Sequence, residues 1–141
     1  MNRQHGGLPV DWLKGRWGTN TTVFTYPILG HASDKAARID MTEHTSGDAK
    51  WYFAHVPTTP GVTYDFSNWY RSNVSTYLTA QYQKTDGTYL YQDLALLPPV
   101  TDWTQTSVQF TPPSGTISTT IFHLINQVGW LETDTFFLAE N

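Results

Sequence analysis

The sequence predicts an all-β protein, either a two-sheet antiparallel β-sandwich or a closed barrel, on three observations. Thr, Val, Ile, Tyr, Phe and Trp dominate the 141 residues, and such side chains suit pleated, half-buried surfaces. No stretch of a dozen residues carries an amphipathic helical pattern. Turn signals recur at short intervals along the whole chain: Ser46-Gly47-Asp48, Thr59-Pro60-Gly61, Ser72-Asn73, Asp86-Gly87, Pro98-Pro99 and Pro112-Pro113-Ser114-Gly115. No internal repeat is visible, which argues against a propeller or solenoid.

Between those turns the strands are expected at 22–26, 36–42, 49–56, 62–71, 74–84, 88–94, 104–111, 117–125 and 133–139. Period-two alternation sorts their faces. In 49–56 the cost of burying Lys50 sets Ala49, Trp51 and Phe53 inward and Lys50 and Tyr52 outward. In 62–71, Val62, Tyr64, Phe66 and Tyr70 share the core parity, leaving Asp65, Ser67, Trp69 and Arg71 outside. Strand 74–84 turns Val74, Leu78, Ala80 and Tyr82 in and Tyr77, Thr79, Gln81 and Gln83 out. In 88–94, Leu90 and Leu94 point in and Tyr89, Tyr91 and Asp93 out, with Asp86-Gly87 as the hairpin turn that fixes the register. Strand 117–125 is apolar on both parities, so alternation leaves His123 undecided; Phe110, Phe122 and Phe136 read as core.

Composition removes whole classes of function. The chain is 39% hydrophobic, so it can bury a core, and its length is that of one domain, expected over 10–141 behind an N-terminal tail or added start at 1–9. No apolar run approaches the length of a membrane helix. A formal net charge of −4 gives no basic footprint for nucleic acid. The absence of cysteine excludes thiol catalysis, Cys-ligated zinc, iron–sulfur clusters and disulfides. Met1–Gly7 is polar and lacks the apolar region of a signal peptide. Two Asn-x-Ser/Thr acceptors occur, at Asn20 and Asn73.

The outward faces carry the chemistry. An ordinary solvated strand face is rich in Lys, Glu and Thr, whereas strands 74–84 and 88–94 present Tyr, Thr, Gln, Gln and Tyr, Tyr, Asp. A pyranose offers an apolar C–H face for stacking and a fringe of hydroxyls for hydrogen bonds; Tyr and Trp supply the ring, and Gln, Asp, His and Lys the donors and acceptors. Catalysis is less well supported. Glycoside hydrolysis needs two carboxylates about 5–10 Å apart, and Asp93 has no obvious partner, because Asp48 and Asp86 read as turn residues. The five histidines show no metal-motif spacing, and no G-x-S-x-G elbow or phosphate loop is present.

Several segments, in order, resemble one family. They are Trp12 with Arg16-Trp17-Gly18, Ala49-Lys50-Trp51-Tyr52-Phe53, Pro60-Gly61-Val62-Thr63-Tyr64-Asp65-Phe66-Ser67, Trp103 through Phe110-Thr111-Pro112, and Gly129-Trp130-Leu131-Glu132-Thr133-Asp134. Together, over about residues 10–139, they resemble the jelly-roll carbohydrate-binding modules related to families 4, 9 and 22, which are typically attached to secreted polysaccharide-active enzymes. The resemblance implies a jelly-roll sandwich with a ligand cleft on one sheet, built from 49–56, 74–84, 88–94 and 117–125. It implies Trp17 as a stacking residue, His123 as a polar cleft residue and Trp130, in a loop before the last strand, as a ring closing one end.

The expected carbohydrate site is thus Trp17, Lys50, Tyr52, Tyr77, Gln81, Gln83, Tyr89, Tyr91, Asp93, His123 and Trp130, with no catalytic residue. The family's opening strand is replaced here by Met1–Gly7, and its paired Asp near the C-terminus by Asp134-Thr135. Both regions commonly contribute to a structural calcium, so the resemblance implies no required cofactor and Asp134 as the ligand that remains. The expected function is a non-catalytic, monomeric binding module for a β-glucan, xylan or chitin-like chain, secreted as part of a larger enzyme. The alternatives are a surface adhesion or assembly domain that binds a protein, and a small glycan-active enzyme using Asp93.

Overall fold

A computed structural model describes residues 12–31 and 34–141. The expected tail at 1–9 and the domain start at residue 10 lie outside the described residues. Eleven strands follow in order: β1 (Trp12–Trp17), β2 (Asn20–Ile28), β3 (Ala36–His44), β4 (Asp48–Phe53), β5 (Val56–Pro57), β6 (Tyr64–Ser72), β7 (Thr76–Lys84), β8 (Tyr89–Leu97), β9 (Val100–Phe110), β10 (Thr116–Ile125) and β11 (Gly129–Glu140). They form two antiparallel sheets. The first has the order β1-β4-β10-β7-β8, with β5 added to β10, and the second β2-β3-β11-β6-β9. This is a jelly-roll sandwich, not a closed barrel. Strands 49–56, 74–84, 88–94 and 117–125 share the first sheet, as the resemblance implied. No helix among the described residues is long and apolar enough to cross a membrane.

Alternation decides what enters the core. In β6 every second residue is buried, so Tyr64, Phe66, Asn68, Tyr70 and Ser72 face inward. Phe53, Phe66 and Phe136 pack ring against ring between the sheets, with centroids 5.6–6.4 Å apart. Trp51 meets Trp12 and Phe24 edge-on and donates from Nε1 to the Arg38 carbonyl at 3.2 Å. Each large apolar side chain buried this fully stabilises the fold by about 1.5–3 kcal/mol. Asp86 does turn chemistry, accepting from the Thr88 amide at 3.0 Å and its hydroxyl at 2.6 Å. Those two bonds hold its carboxyl below the usual range.

Four readings of the sequence need correction. The region 49–56 is two strands, β4 and β5, broken at Ala54-His55. β1 was not expected at all; it is a short edge strand interrupted by Gly15, too brief to alternate visibly. The last strand begins at Gly129, so Trp130 lies in β11 and not in a loop. Leu90 has the core parity, opposite buried Tyr82, yet is 46% exposed because β8 is the edge of its sheet.

Candidate functional site

Antiparallel register stacks the outward residues of the first sheet into rows running across its strands. Trp17 pairs with Asp48, and Gly15 with Lys50, which continues through Leu124 to Tyr77. The next rows are Phe122–Thr79–Asp93, with Tyr52 against Phe122, then Thr120–Gln81–Tyr91 and Ser118–Gln83–Tyr89. A cleft of about 730 Å³ lies on this face, lined along its length by Trp17, Lys50, Tyr52, Tyr77, Gln81, Tyr91 and Asp93 over a floor of Phe122 and Leu124. Five neighbouring strands, about 4.8 Å apart, make the face roughly 19 Å wide.

Several polar groups of the cleft hold one another. Asp48 accepts from Trp17 Nε1 on Oδ2 at 2.9 Å and from Lys50 Nζ on Oδ1 at 2.6 Å. The Lys50 ammonium sits 4.5 Å from the centre of the Phe122 ring, a cation–π contact in a nearly dry setting. Thr79 donates to Asp93 Oδ1 at 2.9 Å, and Gln81 Nε2 to Tyr91 Oη at 2.8 Å. The Trp17 edge is tied to Asp48 while its ring stays 61% exposed, and Tyr89 and Tyr91 are 50% and 56% exposed. Fixed rings with free faces and preoriented amides and hydroxyls can stack on an apolar sugar face and bond its hydroxyls without first being ordered.

The position of Trp17 is set by a paired turn. Thr45 and Ser46 donate their amides to the Thr19 carbonyl, and Asn20 Nδ2 donates to the carbonyls of Trp17 and Ser46. Gly18 and Gly47 both have positive φ, 86° and 84°, and a Cβ on Gly47 would collide with the Trp17 carbonyl. The two sequon asparagines are structural: Asn20 holds this turn, and Asn73 Oδ1 accepts from the Trp130 amide at 2.7 Å.

The structure places two expected site residues, His123 and Trp130, away from the cleft and one expected core residue, Phe122, within it. His123 points into the core and is fully buried, because its neighbours Phe122 and Leu124 take the outward parity. Asn68 Nδ2 donates to its Nδ1 and its Nε2 donates to Thr76 Oγ1, both at 2.9 Å, so the ring is neutral. Burial pushes its pKa down to about 3. Phe122, read as core, is instead the floor of the cleft. Trp130 belongs to the outer face of the second sheet, where Arg38 covers its ring at 4.7 Å and Arg71 covers Trp103 at 5.2 Å. Both guanidiniums converge on buried Glu132 at 2.6 Å, so this ladder of rings and ions is satisfied within itself.

Gln83 and Tyr89 lie on the cleft face, one row beyond its lining. Asp134 lies on β11, where its Oδ2 accepts from the His31 amide at 2.9 Å. Among the described residues no three His, Asp or Glu side chains form a group that could hold a metal ion. Besides Phe122, sequence reading missed Gly15, Arg16, Asp48, Thr79, Leu124 and Asn126 in the lining. Of these, Asp48 was detectable, since it stands two residues before Lys50 with the same parity. Gly15 leaves space that Lys50 Cε and Tyr52 Cε1 fill, each about 3 Å from where a Cβ would sit.

Comparison with known proteins points in one direction. The family model described as "Carbohydrate binding domain", of the 4/9 grouping, matches residues 17–128. No curated protein matches by sequence. Among solved structures, the family 11 carbohydrate-binding module of Lic26A-Cel5E from Clostridium thermocellum superposes with a TM-score of 0.68 at 14% identity, covering 100% of this chain and 93% of that one. The C-terminal family 22 module of Xyn10B from the same organism gives 0.66 at 16%, covering 95% and 88%. The enzymatically active domain of tailspike protein 4 from bacteriophage CBA120 gives 0.72 at 12%, covering 93% of this chain but 19% of that one. At such identities these likenesses establish the fold.

Proposed function

Since the chain belongs to the carbohydrate-binding domain family, we propose that the cleft of the first sheet holds a neutral polysaccharide chain and that the domain binds it without cleaving it. One observation carries this reading: on a single sheet face, exposed rings (Trp17, Tyr91, Tyr89) alternate with hydrogen-bonded polar groups (Asp48, Lys50, Gln81, Asp93) over an apolar floor. Tyr52 and Tyr77 add ring surface within the cleft. The charges compensate locally, Lys50 against Asp48, which suits an uncharged ligand. A chain with equatorial linkages (xylan, β-glucan or a chitin-like polymer) presents the flat faces such rings accept. Solved family 22 neighbours are described as xylan-binding, which puts xylan first in the panel.

Membership of a carbohydrate-binding family supports the reading as binding without cleavage. Asp48 and Asp93 share the cleft, and each is already engaged: Asp48 accepts from Lys50 Nζ and the Trp17 indole, and Asp93 from the Thr79 hydroxyl. As a module of this kind the domain acts as a monomer tethered to a larger secreted enzyme.

The test is affinity electrophoresis against xylan, mixed-linkage glucan, mannan, cellulose and chitin derivatives, with reducing-sugar release measured in parallel. Retardation by at least one polymer, without sugar release, is expected. The double variant Tyr89→Ala/Tyr91→Ala is expected to lose tenfold or more in affinity, about 1.4 kcal/mol, with unchanged thermal stability. Unaltered retardation of that variant would move the site elsewhere.

A further inference from the structure

Gly15 lines the cleft with bare backbone, in the middle of the edge strand β1. A glycine inside a strand costs backbone entropy and leaves a gap in the packing, so it marks either a backbone that other residues avoid or the close approach of another group. The backbone supplies no reason here: six glycines of the described chain have positive φ, and Gly15 is not among them. The close approach is present. A Cβ at position 15 would lie 2.9 Å from Lys50 Cε and 3.0 Å from Tyr52 Cε1, nearer than the 3.5–4.0 Å or so at which carbon atoms pack. Lys50 is the register partner of Gly15 on β4, and the end of its side chain fills the gap. From there its Nζ reaches Asp48 Oδ1 and the ring of Phe122.

We propose that Gly15 is a specificity-determining residue: by leaving room for the Lys50 stem it holds that cation down on Asp48 and Phe122, so that the cleft selects a neutral glycan over one carrying carboxylates. The proposal rests on the reading of this face as the ligand site. Seated in the gap, Lys50 is only 8% exposed and its charge is matched by Asp48. A side chain at position 15 meets the far end of Lys50, which turns aside by rotation about its last bonds. Moving the strand instead would break the pairing of β4 with β1 and β10. Once unseated, the ammonium stands in the cleft, while Asp48 keeps its bond from the Trp17 indole. A compact cation on a flexible stem is then in reach of a uronate carboxylate.

The other charges of the lining leave this choice to Lys50. Asp93 accepts from the Thr79 hydroxyl, and Arg16 Nη1 donates to the carbonyls of Gly18 and Asn20. Both cations of the lining are therefore engaged, Arg16 on the backbone and Lys50 in its ion pair, and Lys50 is the one that a single methyl group at position 15 displaces. Selectivity is a difference between two affinities. A general loss of packing would weaken neutral and acidic polymers alike, whereas a released cation changes their ratio.

The experiment is affinity electrophoresis of the full chain as wild type, Gly15→Ala, Lys50→Ala and the double variant, with Gly15→Ser as a second side chain carrying the same Cβ. Each is run against a neutral polymer and a carboxylate-bearing counterpart: arabinoxylan beside glucuronoxylan, hydroxyethyl cellulose beside carboxymethyl cellulose. Thermal melting checks the fold of every variant, and NMR of the lysine methylenes follows Lys50 Cε, whose protons the Phe122 ring shields in wild type. In Gly15→Ala that shielding should be lost, and the affinity ratio of acidic to neutral polymer should rise about three- to fivefold, the strength of one exposed ion pair. In the Lys50→Ala background the same substitution should leave the ratio where it was. An unchanged ratio, an equal loss on both polymers, or the same rise without Lys50 overturns the proposal. Failure of both Gly15 variants to fold would make Gly15 a packing residue and overturn it as well. If no polymer retards any of the proteins while the Lys50 signals still move, the seat of Lys50 stands and the ligand reading is what fails.

Discussion

The buried imidazole of His123 lies on the opposite face of β10 from the floor of the cleft. His123 lies between Asn68 and Thr76 in the dry core, where a charge has no solvent and the neutral ring is favoured. Its folded pKa, about 3, lies below the ordinary value of about 6.5. The unfolded chain therefore takes up a proton that the folded one refuses. Stability from this residue is complete above about pH 6.5 and is lost progressively as pH falls toward 3, by several kcal/mol in all. Urea unfolding at stepped pH should show that acid slope in wild type and a shallower one in His123→Gln; equal slopes would place the loss in other groups. Tyr89 and Tyr91 were legible as surface rings because a hairpin turn fixed their alternation. Phe122 and His123 were not, since β10 is central to its sheet and apolar on both faces. There the floor of the cleft and the core look alike in sequence.

At the scale of elements, the cleft depends on a paired turn whose glycines, Gly18 and Gly47, do not line it. Gly47 lies against the Trp17 carbonyl with φ of 84°, and the turn carries Asp48 directly into β4, where it anchors the Trp17 indole. Gly47→Ala adds a left-handed penalty of about 1 kcal/mol and a collision that pushes β1 away from its partner. Expected outcomes are a lower melting temperature and altered Trp17 fluorescence, together with weaker glycan binding. Binding at full strength would show that Trp17 contributes little. β1 itself escaped sequence reading because six residues with a central glycine show no period. Trp130, which the resemblance put in a loop, lies instead in β11, opened by Gly129 at a positive φ of 154°.

Across the whole molecule the aromatic side chains divide into three populations. One fills the core around Trp51, Phe53, Phe66 and Phe136; a second lies on the first sheet with its faces open. The third, on the outer face of the second sheet, is covered by its neighbours: Trp130 by Arg38, Trp103 by Arg71, and Trp69 by His31 stacked at 3.6 Å. Both sheets thus carry outward tryptophan, and only one offers a lined cleft with free rings. Composition alone foretold the abundance of rings, and alternation foretold most of their directions. Which sheet had its rings already capped depended on contacts between residues as distant in sequence as Arg38 and Glu132, which no local pattern contains. The most direct measurement is a chemical-shift map of the ¹⁵N-labelled protein titrated with a soluble oligosaccharide that it retains. The account predicts shifts at the Trp17 indole and along β4, β7, β8 and β10, with Trp69, Trp103 and Trp130 silent; shifts confined to those three tryptophans would contradict it.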